Sequence, residues 1–174
     1  MASPSLTRPD PSEYTAYAER YISLVPDGAI GETLARQFEA YLPLYRAIGE
    51  EKGAYRYAPG KWSLKQVLGH VIDTERILGF RGLAASRGEK NPIPGFEQDD
   101  YVAAVNFDDR RVSDLIDEFA AVRAASVTLF EHMTDEMLMR RAIANGREIS
   151  ARAAGYFIAG HERYHIVHMK EHYL

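Results

Sequence analysis

Four histidines share one face of a predicted helix at the end of the sequence. They are His161, His165, His168 and His172, at successive spacings of four, three and four residues. At about 100° of rotation per residue, these positions fall within roughly 60° of one another, so their imidazole rings project to the same side. Histidine nitrogens are common ligands of transition metals. The spacing therefore predicts a metal site on this helix.

His70 would complete that site from a second helix. One helix cannot surround a metal ion, and His70 lies beside the apolar positions Val67 and Val71 on the inward face of another predicted helix. We predict that His70, His161 and His165 together bind one divalent metal ion. Three imidazoles leave coordination positions open, as a catalytic metal requires. The other interpretation of His70 is an ordinary core histidine.

The string HERYH also matches the pattern H-E-x-x-H, in which two histidines bind zinc and the glutamate is a general base. Such proteases take a third ligand downstream, whereas here only the same helix follows. Glu162 lies about 100° around the helix from His161, and we interpret it as a solvent-facing side chain. His168 and His172 near the helix C-terminus would also interact favourably with the helix dipole. We predict that His168 is not a ligand.

Two carboxylates near His70 are candidates for catalysis. Asp73 follows His70 by one turn, and Glu75 lies on the inward stripe of the same helix. Either carboxylate could orient a ligand or move a proton. The alternative is an ion pair on the helix surface with Arg76, with Arg81 or with a residue of a neighbouring helix. Because imidazole adds no negative charge, a three-histidine site keeps the full charge of the ion available to acidify water or a thiol.

Composition excludes several classes of function. The chain has 174 residues, no cysteine, and a net charge of −4 from 21 basic and 25 acidic residues. Without cysteine there is no disulfide, no thiolate ligand and no cysteine nucleophile. The dispersed charge argues against nucleic-acid binding. No secretory signal and no apolar run of about 18 residues is evident, which argues against a membrane span. We expect a cytoplasmic protein.

The apolar periodicity predicts four long helices. Ser63 is the clearest start signal, because its hydroxyl can cap a helix and Gln66 can close a capping box, and this helix is expected to run to about Arg87. The other long helices are predicted to begin near Ile30, at Asp108 or Asp109, and after the capping residue Ser150.

Shorter elements complete the predicted architecture. Asn145-Gly146 between two short segments is typical of a type I′ hairpin. Shorter helical patterns begin at Tyr14 and near Asp135. The proline-rich residues 1–12 are predicted to be a flexible lead, and residues 13–174 to be one domain. The predicted fold class is therefore all-α, a four-helix bundle with short extra helices and a small β-hairpin before the last helix.

Two segments carry a resemblance to a known family. WSLKQVLGHVIDTE, followed about ninety residues later by NGREISARAAGYFIAGHERYHIVHM, resembles the DinB/YfiT-like family of metal-dependent proteins. The resemblance implies a four-helix bundle in which His70, His161 and His165 hold one divalent metal ion, nickel or zinc most often. It also implies hydrolysis or transfer of a low-molecular-weight thiol. Tyr164 stands where many members have a further histidine.

Two hypotheses of function follow. The first is a metal-dependent enzyme that acts on a small molecule by thiol transfer or hydrolysis. The second is a non-catalytic bundle in which the metal ties two helices together, closed by a fourth protein ligand such as His168 or Glu75. The tyrosine-rich first helices and the resemblance also lead us to expect a homodimer.

Overall fold

The structure is a computed structural model, and it describes residues 8–174. The elements in chain order are α1 (Ala16–Ile22), α2 (Ile30–Arg46), α3 (Glu50–Gly53), α4 (Leu64–Arg87), α5 (Gln98–Ala104), α6 (Val112–Glu131), α7 (Asp135–Met139), β1 (Arg141–Ala144), β2 (Arg147–Ser150) and α8 (Ala151–His172). Short 3₁₀ helices at Pro11–Glu13 and Phe107–Asp109 precede α1 and α6. None of the described helices is both long and apolar enough to cross a membrane.

The four long helices form the predicted bundle. Helix α4 packs against α6 and α8, and α2 packs against the same two helices. The consecutive long helices α2 and α4 therefore lie across the bundle from each other. The all-α fold class with a small hairpin before the last helix is confirmed.

Side-chain caps set the starts of two long helices. The hydroxyl of Ser63 accepts a hydrogen bond from the backbone of Gln66, and the Gln66 side chain accepts one from the backbone of Ser63, which confirms the capping box. The hydroxyl of Ser150 caps α8 in the same way. Helix α6 begins at Val112, a few residues after the predicted start. Its expected cap, Asp108, instead accepts hydrogen bonds from Ser63 and from an arginine.

The hairpin also anchors the chain on its way to α5. Asn145 and Gly146 both have positive φ, 52° and 70°, as a type I′ turn requires, and the predicted turn is confirmed. Ile93 forms a parallel bridge to this hairpin through hydrogen bonds with Ile143 and Asn145. The start of α5, five residues later, is therefore held near the same face of the bundle.

A buried polar layer divides the hydrophobic core. One apolar cluster contains Ile30, Leu78 and Phe130, and a second contains Leu68, Phe119 and Ile166. Between them lie four buried polar side chains from different long helices, Gln37 from α2, Glu75 from α4, Arg123 from α6 and Glu162 from α8. These side chains hydrogen-bond to one another, as buried polar groups must. We call these four residues the buried ionic layer.

The described start of the chain is fastened to the bundle. Residues 1–7 of the predicted lead lie outside the described residues. Arg8 pairs with Asp27 at 2.9 Å. The carboxylate of Glu13 accepts hydrogen bonds from Ser150 and Arg152 at 2.7 and 2.8 Å, and it is 1% exposed. An ion pair therefore joins the first described residues to the start of α8.

Candidate metal centre

Three histidines converge between α4 and α8. The Nε2 atom of His161 lies 3.1 Å from that of His70 and 3.2 Å from that of His165. One potential ligand atom from each side chain lies within 4.8 Å of the other two. The structure thus brings together the three histidines singled out in the sequence, from two helices that face each other. We call them the histidine triad.

The nitrogen spacing fits a transition metal ion. With metal–nitrogen bonds of about 2.0 to 2.1 Å, two neighbouring ligands would stand about 3.0 Å apart at a right angle and about 3.4 Å apart at a tetrahedral angle. The observed separations of 3.1 and 3.2 Å lie between these values. The donor set of three imidazoles suits a transition metal ion such as zinc, copper, iron or nickel.

Burial keeps the triad in the neutral form that binds metal. Desolvation lowers the pKa of His70 to about 4 and that of His165 to about 3. Desolvation, with further contributions from its two histidine neighbours, lowers the pKa of His161 well below its usual value. Neutral imidazole has a free lone pair, so a metal ion would displace no proton from these rings near pH 7.

Neighbouring side chains hold the triad rings in place. The Trp62 ring lies 5.0 Å from His70, and the Tyr21 ring lies 5.4 Å from His161. The hydroxyl of Thr74 is 3.5 Å from Nδ1 of His70, at the outer limit of a hydrogen bond. Nδ1 of His165 is buried without a hydrogen-bond partner among the described residues. The contacts around His70 leave its Nε2 directed at the other two rings.

His168 lies apart from the triad. Its ring centre is 6.5 Å from that of His165, and it packs instead against His172 at 4.5 Å and Tyr57 at 5.7 Å. Among the described histidines and carboxylates, only His70, His161 and His165 lie close enough together to hold one metal ion. The prediction that His168 is not a ligand stays a prediction, and this separation favours it.

Glu162 is buried, and the interpretation of it as a solvent-facing side chain is wrong. It is 1% exposed and accepts hydrogen bonds from Gln37, Tyr45 and Arg123. The rotation of about 100° from His161 turns it into the core between α2 and α6. The pKa of Tyr45 is raised by burial and by Glu162, so its hydroxyl remains a donor to that carboxylate. Glu162 therefore belongs to the buried ionic layer.

The two carboxylates considered for catalysis lie in different surroundings. Both oxygens of Glu75 accept hydrogen bonds from Arg123, at 2.9 and 2.7 Å. Asp73 lies 3.4 Å from Arg76, and burial raises its pKa. Neither residue is among those that line the cavities at the triad. A catalytic role for Asp73 stays a prediction, and the ion pair gives Glu75 a structural partner.

Two cavities meet at the triad. The larger, of about 440 Å³, has a wall that includes Tyr21, His70, Leu78, Arg81, Phe157 and His161. The smaller, of about 370 Å³, is bordered by His165 and Tyr164. Gln98 and Asp99, in the first turn of α5, line both cavities. The triad is therefore within reach of a small molecule from the side of α5.

The sequence did not point to the residues that α5 brings to the site. Gln98 and Asp99 follow a proline-rich stretch interpreted as a loop, and acidic residues in the first turn of a helix are common without any function. Arg123 had a clearer signal. It lies four residues after Phe119 and seven after Ile116, on the buried stripe of α6, where a charge requires a partner.

Comparisons with known proteins bear on the family and the fold of this chain. The sequence pattern of the DinB superfamily matches residues 33–169. A protein of Oceanobacillus iheyensis named "Putative metal-dependent hydrolase" is 26% identical over 127 residues, which are 71% of this chain and 72% of that protein. The solved structure of YfiT from Bacillus subtilis, described as "a probable metal-dependent hydrolase with an unusual four-helix bundle topology", superposes with a TM-score of 0.70 at 16% identity. The superposed region covers 94% of this chain and 89% of the YfiT chain.

Proposed function

This chain belongs to the DinB superfamily, and from its histidine triad we propose that it is a metal-dependent enzyme that acts on a small molecule. The name of the Oceanobacillus iheyensis relative supports metal-dependent hydrolysis as one form of this activity. The family resemblance of the sequence supports transfer of a low-molecular-weight thiol as the other.

The observation that carries the proposal is an incomplete ligand set at the wall of a cavity. A structural metal site is closed by four protein ligands, whereas a catalytic site keeps a position for water or substrate. Among the described residues, the two candidates for a fourth ligand are engaged elsewhere, because Glu75 pairs with Arg123 and His168 packs on Tyr57. This arrangement favours an enzyme over a bundle that is merely tied together by metal.

The residues around the triad have separable roles in this proposal. His70, His161 and His165 would hold the ion. A divalent ion bound there would act as a Lewis acid that lowers the pKa of a coordinated water molecule or thiol. Asp99 is the carboxylate that lines both cavities, so we assign it the role of proton acceptor in preference to Asp73.

The shape of the larger cavity favours a small substrate over a polypeptide. Its volume of about 440 Å³ lies in the range of small-molecule sites, and its wall combines apolar side chains such as Leu78 and Phe157 with many polar ones. We propose zinc or nickel as the ion, because imidazole suits both metals and the family resemblance implies them. A cytoplasmic location and a homodimer are further parts of the proposal. Exposed Tyr17 and Phe80, at 54% and 55%, are candidates for dimer contacts.

Metal analysis of matched variants tests the site. We expect one divalent ion per chain in the wild type and in His168→Gln, and none in His161→Gln or His70→Ala. Equal loss of metal from His161→Gln and His168→Gln would overturn the ligand assignment.

Hydrolysis of small esters and thiol-dependent conjugation of an electrophile are then assayed with and without metal. Turnover that survives metal removal would contradict a metal-dependent mechanism.

Light scattering tests the homodimer. A dimer has twice the chain mass of 19.6 kDa. A mass near that of one chain at micromolar concentration would rule the dimer out.

A further inference from the structure

The wall of the larger cavity includes a buried cation that has no partner among residues 8–174. Arg81 lies in its wall and is 9% exposed, and its Nε atom is buried with no hydrogen-bond partner among the described residues. No ion pair or hydrogen bond of the described residues includes its guanidinium. The Cζ atom of Arg81 lies over the ring of Phe96, 5.9 Å from the ring centre. Buried charges are normally paired.

The contrast with the other buried arginines is direct. Arg123 has two carboxylates and a backbone carbonyl as partners, and Arg152 has Glu13. Desolvation lowers the pKa of Arg81, and the described carboxylates that line the same cavity, Glu97, Asp99 and Glu148, are exposed and do not pair with it. A buried guanidinium that faces a cavity and lacks an internal anion is a site prepared for an external one.

The position of Arg81 on α4 relates it to the triad. Arg81 follows His70 by eleven residues, which is about 20° of net rotation and about 16 Å of helix rise. Thr74 and Leu78 occupy the turns between them on the same stripe, and all four residues line the larger cavity. Both side chains tilt toward the helix N-terminus, so their separation stays close to this rise and is shortened only by the greater length of arginine. The two sites are therefore on the order of 15 Å apart along one wall.

We propose that Arg81 is an anion-binding residue that holds a carboxylate or phosphate group of the substrate while the reacting part of that substrate lies at the histidine triad. This inference rests on the proposed function for the triad, and it adds the substrate class: an elongated small molecule with an anionic group on the order of 15 Å from the reacting atom. The apolar stretch between the two ends would contact Leu78 and Phe157.

Binding to metal-free protein tests the anion site separately from the triad. The probes are hexanoate, hexyl phosphate and neutral hexanol, titrated by calorimetry and by NMR. We expect an anionic probe to bind wild type at least tenfold more tightly than hexanol does, because a charge-assisted hydrogen bond to a buried guanidinium is lost with the alcohol. The preference between the two anionic probes identifies the group as carboxylate or phosphate.

Matched variants complete the test. Arg81→Leu should weaken the anionic probe at least tenfold, Arg81→Lys should retain most of the binding, and Arg147→Gln, which removes an exposed arginine of the same cavity wall, should change it less than twofold. Equal binding of hexanol and both anions, or loss with Arg147→Gln but not with Arg81→Leu, would overturn the proposal. Because the protein is metal-free, these outcomes are independent of whether the triad binds metal.

Discussion

Replacing Arg123 with methionine removes the cation from the buried ionic layer. Arg123 donates two hydrogen bonds to Glu75 and one to Glu162, at 2.7 to 2.9 Å, and a fourth to the carbonyl of Leu34 at 3.1 Å. The side chains of Arg123, Glu75 and Glu162 are all 2% exposed or less. Methionine retains much of the volume but leaves two carboxylates buried without a cation.

The expected loss of stability is large. Removing one partner of a buried ion pair costs about 3 to 5 kcal/mol, because the remaining charge stays desolvated. The upper value applies here, since two carboxylates lose their shared partner. Domains of this size have about 5 to 15 kcal/mol of total stability, so Arg123→Met consumes a large part of it. Replacing all three charges, with Glu75→Gln and Glu162→Gln added, should restore most of the loss.

Urea unfolding followed by far-UV circular dichroism measures these changes. The matched control is Arg36→Met, which removes an arginine that is 69% exposed and pairs with Glu32 one turn away in α2. We expect the control to lose less than about 0.5 kcal/mol. Two outcomes would show that the layer is not a tightly coupled ionic unit. One is a loss of unfolding free energy in Arg123→Met that is no larger than in Arg36→Met. The other is a triple variant that is less stable than Arg123→Met.

Three further variants test other contacts. Glu13→Gln should cost about 3 kcal/mol at neutral pH by leaving Arg152 without its carboxylate. Burial alone would raise the pKa of Glu13, but hydrogen bonds from Arg152 and its neighbours lower it below the usual 4.5. Its stabilisation is therefore present above about pH 4.5 and lost as the pH falls through the lowered pKa. The unfolding free energies of variant and wild type should converge in acid, and a constant difference would contradict this. Gly160→Ala should destabilise by about 1 to 3 kcal/mol, because its added carbon would lie 2.1 Å from the Tyr21 carbonyl oxygen. Gly79→Ala, whose added carbon would have its nearest neighbour at 3.9 Å, should instead stabilise by up to about 1 kcal/mol in the same urea titrations, and equal effects would refute the packing argument.

Local signals in the sequence predicted the elements well. The Ser63 capping box, the Asn145-Gly146 turn and the Ser150 cap depend on residues within four positions of one another, so short-range chemistry determines them. The spacing of the histidines likewise predicted which rings could meet. His70 was placed with them because it lies on the inward face of its helix, which requires only the helical repeat.

Contacts between distant segments could not be predicted in this way. The helical repeat gave the angle of Glu162 relative to His161, but only the positions of α2 and α6 determine that this angle leads into the core. The placement of α5 depends on the bridge from Ile93 to the hairpin, which joins segments about fifty residues apart in the chain. Asp108 seemed a helix cap locally, and a tertiary contact with Ser63 determines its actual role.

The buried ionic layer also fixes how the long helices are aligned along their axes. Each of the four helices contributes one member, so sliding any helix by one turn, about 5.4 Å, would separate buried charged and hydrogen-bonding groups from the partners they now have on neighbouring helices. The same slide of α4 against α8 would carry His70 away from His161, since Glu75 and His70 are on one helix and Glu162 and His161 are on the other. An apolar core would tolerate several alignments of similar energy, whereas this layer accepts only one. The precise placement of the three imidazole nitrogens therefore depends on buried charges that lie away from the cavities.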